Sequence, residues 1–474
     1  MQSKLTQDKR APFLNQARGK LPTILARMLT GMLLASASFG ISLALLEIPA
    51  AFAQQAARQV IGVGPTWSGV RVQYSAVRSG NQYFVAYYDA ERWLTLAVIS
   101  PDNNDVRRLR LPSQFGGFDS HNRVVLAIDQ SNSVHVVGNM HATPLVYYKI
   151  DPPYDKPVPT AMIGRDEHRV TYPNFFADSD GNLLFFYRAG GPGDGQWILN
   201  RWSGAKWQRQ SSSAIFGDRD KNLPETVSAY PGVRQAPDGG FHAAILWRRA
   251  ITQASNYRIT YARSKDLVHW TDSRGNPLTL PLSPNNTDVV VDPGERSGLG
   301  QVRMGFDASN RPLILYRNQG QTGNSTFIAR FENNSWRSRE LGRERGSRGR
   351  MLSFLDHPTS EKVFEAKPQG TIIACVGPEG ITQGCQELDS ATLQPIGQAQ
   401  APEQPLREYS AGNLERSGRR AVMVMAAEDK QLRPVADAYL VWPIENPRRE
   451  ETKDCRRQRI DCAGATTELR LVLF

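Results

Sequence analysis

Long apolar stretches are scarce in this sequence. Only the uncharged run from Met28 to Leu46 approaches the length needed to cross a bilayer, and no other segment could span one as a helix. Sustained apolar stripes at helical spacing are missing from the body as well, which predicts little helix. Cysteine is sparse, at 4 of 474 residues, and its spacings suit no familiar zinc site. The chain also lacks a glycine-rich phosphate loop, a Ser-His-Asp arrangement, a dense run of metal ligands and any recognisable nucleic-acid motif. No cofactor is required by such a sequence. A structural metal ion stays open, because strand-end His and Asp residues could assemble a site that no linear spacing reveals.

What is present has the texture of many short strands. Apolar and aromatic residues are spread evenly, while 39 Gly and 30 Pro recur at short intervals, as expected of strands joined by turns. Four segments repeat one pattern, an apolar strand, an Asp/Asn/Gly turn and a second apolar strand. Residues 124–129 turn into 134–137, 175–181 into 183–186, 237–240 into 241–247, and 304–310 into 313–316. A hairpin of this size cannot bury its faces alone, and its recurrence about every 50–70 residues fits propeller blades with variable outer loops. Less sharply marked strand sets fall at 72–99, 350–395 and 406–445. The expected fold is all-β, a propeller of seven blades of four antiparallel strands, with six or eight left open. The run Ser264-Lys265-Asp266-Leu267-Val268-His269-Trp270 resembles an Asp-box, a turn-locking motif without chemistry.

The ends of the chain read differently. Lys4, Lys9, Arg10, Arg18, Lys20 and Arg27 form a basic leader before the apolar run, and Ala51-Phe52-Ala53 supplies a small-x-small cleavage pattern. Residues 1–53 are therefore expected to be a secretory signal peptide with a long basic leader; an uncleaved anchor is the alternative. The propeller is expected over 54–446. A charged tail, 447–474, either decorates the last blade or completes it. In an oxidising compartment, secreted or periplasmic, Cys375 would pair with Cys385 and Cys455 with Cys462. Six basic and two acidic side chains in the leader account for +4 of the formal +11, leaving +7 on the body. That excess favours an anionic partner. For an exported monomer with no nucleic-acid motif, and off the membrane once the leader is removed, acidic polysaccharide is the expected partner rather than nucleic acid.

Hairpin direction places candidate chemistry. If the Asp/Gly turns of the two inner strands lie at one end of the propeller, the start of the first strand and the finish of the second lie at the other. Those positions hold His121 and His141, then Tyr172 and Arg188, then Tyr230 and Arg248, then Arg303 and Arg317. His135, His168, His242, His269 and His357 have no such arrangement and read as structural. Each site residue has an ordinary alternative as a packing or hydrogen-bonding residue, but equivalent positions on neighbouring blades argue for one polar site.

Two stretches carry a family resemblance. The run Asp119-Ser120-His121-Asn122-Arg123 through Asn139-Met140-His141 to Tyr147-Tyr148 is similar to BNR-repeat-containing propellers. So is Tyr172-Pro173-Asn174 through Asp180-Gly181-Asn182 and Tyr187-Arg188-Ala189-Gly190-Gly191 to Arg201-Trp202, with Pro192 standing where relatives carry a small polar residue. The resemblance runs from about 70 to 320. Its members include ulvan lyases, seven-bladed propellers that cleave uronate-containing polysaccharide by β-elimination, although many relatives have no established activity. It implies His121, His141, Tyr172 and Arg188 as catalytic residues; Asn122, Tyr187, Tyr230, Arg248 and Arg317 are expected around the substrate. Arg would neutralise the uronate carboxylate, and His121 and Tyr172 would share the base and acid roles in an order left open. A non-catalytic glycan-binding or structural propeller is the main alternative. A sialidase-type hydrolase built on Arg188, Arg248 and Arg317 comes next, but gives the His pair no role.

Overall fold

The computed structural model describes residues 57–217, 227–249, 255–294, 298–320, 323–344, 365–367, 371–375, 385–399, 420–445 and 465–474. Strands are almost all of their regular secondary structure, and none of their helices is long and apolar enough to cross a membrane. The expected leader, Cys455, Cys462 and His357 lie outside them. Cys375 and Cys385 stand opposite each other on adjacent antiparallel strands.

The strands form antiparallel sheets in chain order, as a β-propeller requires. Sheet 1 spans 75–114, sheet 2 125–159, sheet 3 170–209, sheet 4 228–291, sheet 5 300–344 and sheet 6 365–399. Sheet 7 joins both ends of the described chain. Its order runs Arg420–Glu428, Pro434–Glu445, Thr466–Leu473 and finally Gln59–Trp67. A single parallel pair, Val77 with Glu428, ties sheet 7 to sheet 1. Residues 466–473 are therefore a strand of this sheet, past the boundary expected at 446.

Burial explains why the second strand of each sheet reads as a continuous apolar run. Leu183–Ala189 is buried at all but its last residue, and so is Phe241–Arg248. Strands covered on both faces need apolar side chains at every position. The fourth strand of sheet 1, Asp105–Gln114, is largely exposed and carries Arg107, Arg108 and Arg110. Charge there also protects an outer edge from unwanted pairing.

The turns between first and second strands share one design. In sheets 3, 5 and 7 the turn begins with Asp178, Asp307 or Asp429, whose Oδ1 accepts the backbone N–H groups two and four residues on, at 2.8–3.0 Å. Asp129 opens the corresponding turn of sheet 2 and accepts from Ser133 at 2.9 Å. The fourth turn residue adopts positive φ, +66° at Asn132, +77° at Gly181, +60° at Asn310 and +58° at Leu432. This is a tight hairpin loop closed by a left-handed residue. The carboxylate satisfies amides that the turn would otherwise leave open.

All these turns point to one end of the propeller. Arg201, on the third strand of sheet 3, reaches that end and pairs with Asp178 at 2.9 Å. The Asp-box also has a structural role. Asp266 Oδ1 accepts the N–H groups of Val268 and His269, and buried Trp270 donates to the Leu267 carbonyl at 2.9 Å.

Candidate active site

The opposite end of sheets 2, 3 and 4 collects the polar residues. Asp119, in the loop before Val125–Ile128, is 2 % exposed. Its Oδ1 meets His121 Nδ1 at 2.5 Å and accepts the His121 backbone N–H at 3.0 Å. Its Oδ2 meets His141 Nδ1 at 2.5 Å. Burial alone would raise the Asp119 carboxyl, but the hydrogen bonds from His121 and His141 outweigh it and hold the group well below the usual carboxylate range. The two imidazoles stack, with centroids 4.2 Å apart and planes 16° from parallel.

His141 follows Val134–Val137 in a loop pinned to sheet 3. The Ala142 N–H donates to the Val170 carbonyl at 2.9 Å and to Thr171 Oγ1 at 2.8 Å. Tyr172 sits in Val170–Ala177, where the pairing with Leu183–Ala189 slips between Thr171 and Asn174. Its φ is +55°. A bulge of this kind re-aims a side chain, and a non-glycine residue at positive φ persists only where its surroundings over-determine it. Here Trp197 stacks on the Tyr172 ring at 6.0 Å, His121 meets its edge at 5.7 Å, and Arg123 Nη2 donates to the Pro173 carbonyl at 2.6 Å. Burial raises the Tyr172 hydroxyl above its ordinary value, with the Arg188 charge opposing.

Arg188 lies beneath these rings and is 1 % exposed. Its guanidinium carbon is 4.8 Å from the Tyr172 ring centre and 5.7 Å from that of Tyr230. Nε and Nη1 are buried without a hydrogen-bond partner among the described residues. The acid on the following loop, Asp194, pairs with Arg169 at 2.6 Å instead. Gly195 leaves the room that Arg188 occupies, because a Cβ there would stand 2.7 Å from Arg188 Cδ. On the next sheet Arg248 donates to the Tyr230 hydroxyl at 2.8 Å and to Asn256 Oδ1 at 2.9 Å.

His121, His141, Tyr172, Arg188, Tyr230 and Arg248 thus meet at one place. Three residues expected around a substrate sit otherwise. Asn122 is buried, its Nδ2 donating to the Asp119 carbonyl at 3.2 Å and its carbonyl accepting the Tyr88 hydroxyl at 2.7 Å, so it braces the loop. Tyr187 is fully buried against Phe185 in the core; next to Arg188 on a strand, it must face the other way. Arg317 is buried on sheet 5, in register with Gly300, one sheet beyond Arg248. Asp119 is the residue that sequence reasoning passed over, and its signal was the carboxylate two positions before His121.

Asp119, His121 and His141 offer three ligand atoms within 4.8 Å of one another. Their geometry fits hydrogen bonding better than metal binding. Zinc at 2.0–2.1 Å from its ligands spreads them roughly 3.3 Å apart in a tetrahedron, whereas the Asp119–His contacts are 2.5 Å and the rings lie nearly parallel.

A cleft of about 440 Å³ opens at the same end, with Ser113, Leu145, Tyr147, Thr160 and Glu167 in its walls. The loop carrying His141 contributes to it through Pro144 to Val146 and is tied to sheet 1 by Asn139 Nδ2 donating to Ser113 Oγ at 2.8 Å.

Residues 82–344, more than half of the chain, match the family described as BNR repeat-containing family members. The chain belongs to that family. Among curated relatives of this BNR-repeat protein is the long isoform of ulvan lyase from Alteromonas sp., 22 % identical over 283 residues, covering 46 % of this chain and 28 % of the relative. The corresponding isoform from Pseudoalteromonas sp. (strain PLSV) is 27 % identical over 137 residues, covering 27 % of this chain and 13 % of its own. The chain thus matches less than a third of these relatives' length. Among solved structures, the polysaccharide lyase Uly1 superposes with a TM-score of 0.60 at 14 % identity, covering 88 % of this chain and 100 % of its own. An ulvan lyase bound to -[GlcA(1-4)Rha3S]- gives 0.59 at 12 % identity, covering 88 % and 96 %. These likenesses establish the propeller fold.

Proposed function

We propose that this BNR-repeat propeller is an exported polysaccharide lyase, cleaving a uronate-containing acidic polysaccharide by β-elimination. The observation that carries the reading is Arg188. A guanidinium buried to 1 % with two unpartnered nitrogens is costly unless an anion completes it. A substrate carboxylate is such an anion, and arginine holds it with charge-assisted hydrogen bonds. Neutralising that carboxylate is also what makes the neighbouring C–H acidic enough to lose its proton, because the charge that develops on the carboxyl oxygens is met by a fixed cation.

The remaining residues divide the proton transfers. His121 Nδ1 faces Asp119, which leaves Nε2 to take the proton beside the carboxylate. Tyr172, whose hydroxyl is raised by burial, keeps its proton at neutral pH and delivers it to the leaving glycosidic oxygen. His141 supports the substrate beside His121, and Tyr230 with Arg248 holds a flanking sugar. The relatives named ulvan lyases, one of them holding a glucuronate-containing glycan, support the same substrate class. A sialidase-type hydrolase is disfavoured: it would need a free carboxylate, while Asp119 is engaged by two histidines.

The test is the ultraviolet absorbance of unsaturated uronate when purified protein meets a panel of uronate-containing polysaccharides. Absorbance should rise with at least one of them. His121→Ala and Tyr172→Phe should each lower the rate about 10²-fold or more. Saturable binding with no unsaturated product across the panel would make this a glycan-binding propeller instead.

A further inference from the structure

We propose that Asp119 is the positioning residue of the site, one carboxylate that fixes the tautomer of both histidines so that His121 and His141 each present a bare Nε2. The kinetic part of this inference rests on the elimination reading above; the tautomer part does not.

The geometry leaves the carboxylate few alternatives. Its two oxygens are divided between the rings, Oδ1 with His121 Nδ1 and Oδ2 with His141 Nδ1, both at 2.5 Å. An ionised carboxylate only accepts, so each Nδ1 must carry the hydrogen. Asp119 is held ionised by these same contacts and is buried to 2 % exposure, out of reach of competing water. His121 and His141 side chains keep 34 % and 24 % of their surface exposed. Each ring is therefore anchored at the buried nitrogen and open elsewhere. Asn122 Nδ2 donates to the Asp119 carbonyl, and the His121 backbone N–H donates to Oδ1 at 3.0 Å, so the carboxylate cannot swing away without opening the loop.

The two oxygens are not equivalent, and that gives a sharp expectation. Oδ1 already accepts a backbone N–H; Oδ2 does not. In Asp119→Asn the amide oxygen should keep the Oδ1 place, still accepting from His121. The NH₂ would then face His141, whose Nδ1 must become an acceptor and whose hydrogen must move to Nε2. One isosteric change should flip one histidine and spare the other.

Nitrogen-15 NMR of the imidazoles reads this directly, since the chain holds only 7 histidines and single His→Gln variants assign the signals. At mildly alkaline pH, where free imidazole is neutral, the unmodified protein should show both His121 and His141 as the Nδ1–H tautomer. Asp119→Asn should convert His141 alone, and Asp119→Ala should release both. In turnover, Asp119→Ala should lower kcat on the order of 10²-fold or more with KM nearly unchanged, as loss of a group that orients a general base does. An Nε2–H tautomer at either histidine of the unmodified protein would overturn the proposal. So would stoichiometric Zn²⁺ uptake that shifts both imidazoles and is required for turnover. Correct tautomers in a folded protein with no turnover would leave the Asp119 clamp standing and sink the elimination reading.

Discussion

A buried cation with two nitrogens unpartnered among the described residues is the most telling single residue in this molecule. Arg188 is held over the Tyr172 and Tyr230 rings at 4.8 and 5.7 Å, contacts that soften the cost of desolvation without removing it. Arg188→Met should therefore abolish turnover while leaving the unfolding temperature unchanged or raised, as happens when buried charge gives way to an apolar residue of similar volume. A drop of more than about 5 °C in a thermal scan would mean that Arg188 is a structural residue. Gly195→Ala should act on the same side chain from the other direction. Its new Cβ would meet Arg188 Cδ and the Gly191 carbonyl oxygen, each at 2.7 Å. We expect a loss of at least tenfold in kcat/KM with about 1–2 kcal/mol of stability, the usual scale of overpacking, measured by kinetics and denaturant unfolding. At this scale the sequence was readable only in part. His121, His141, Tyr172 and Arg188 follow from which strand end they occupy. Tyr187 fails because strand alternation turns it into the core beside Phe185, and Asn122 because its amide is needed by its own loop. Asp119 was hidden because a lone loop aspartate looks like any turn residue until two histidines from different strand ends converge on it.

Sheets 2 and 4 repeat one buried device. The second residue of the second strand is a histidine, His135 or His242, and its Nδ1 meets a tyrosine hydroxyl on the third strand, Tyr147 at 2.8 Å or Tyr261 at 2.5 Å. Burial lowers both histidines, His242 to about 4. Each is neutral in the fold, while the unfolded chain protonates near 6.5. The unfolded state thus binds more protons between these values, and stability is lost as pH falls from about 6.5 towards 4. For His242 the loss should approach about 3 kcal/mol, readable as a drop in denaturant midpoint that His242→Gln flattens. The depressed carboxylates act lower on the scale. Asp129, at about 2, loses its contribution only as pH falls from about 4 through 2. The hairpins themselves were legible because Asp, Asn and Gly mark a turn whose amides and left-handed residue demand them. The sheet 7 turn keeps Asp429 but places Leu432 at the left-handed position, so it carries only half of that mark and shows why that sheet was placed less firmly.

Across the whole molecule, stability depends on a strand from one end of the described chain meeting one from the other. Gln59–Trp67 lies against Thr466–Leu473 and buries Ile61, Val63 and Trp67. Neither strand was named from the sequence, which left open whether 447–474 decorates or completes the last blade, since contacts between residues about 400 positions apart leave no local pattern. Val63→Asp would place a charge where no exposure remains and should cost about 3–5 kcal/mol. If the ring unfolds as one unit, circular dichroism and tryptophan fluorescence should report the same lowered midpoint. The closure also decides how the molecule answers to tension. Gln59 stands directly opposite Leu473 in an antiparallel pair, so a pull on these two points loads the ladder one rung at a time. Such a seam peels at low force, where a pair pulled lengthwise would resist with all its hydrogen bonds together. Tethered by both ends, the propeller would open like a zip; tethered by one, it would bear a load without touching its seam.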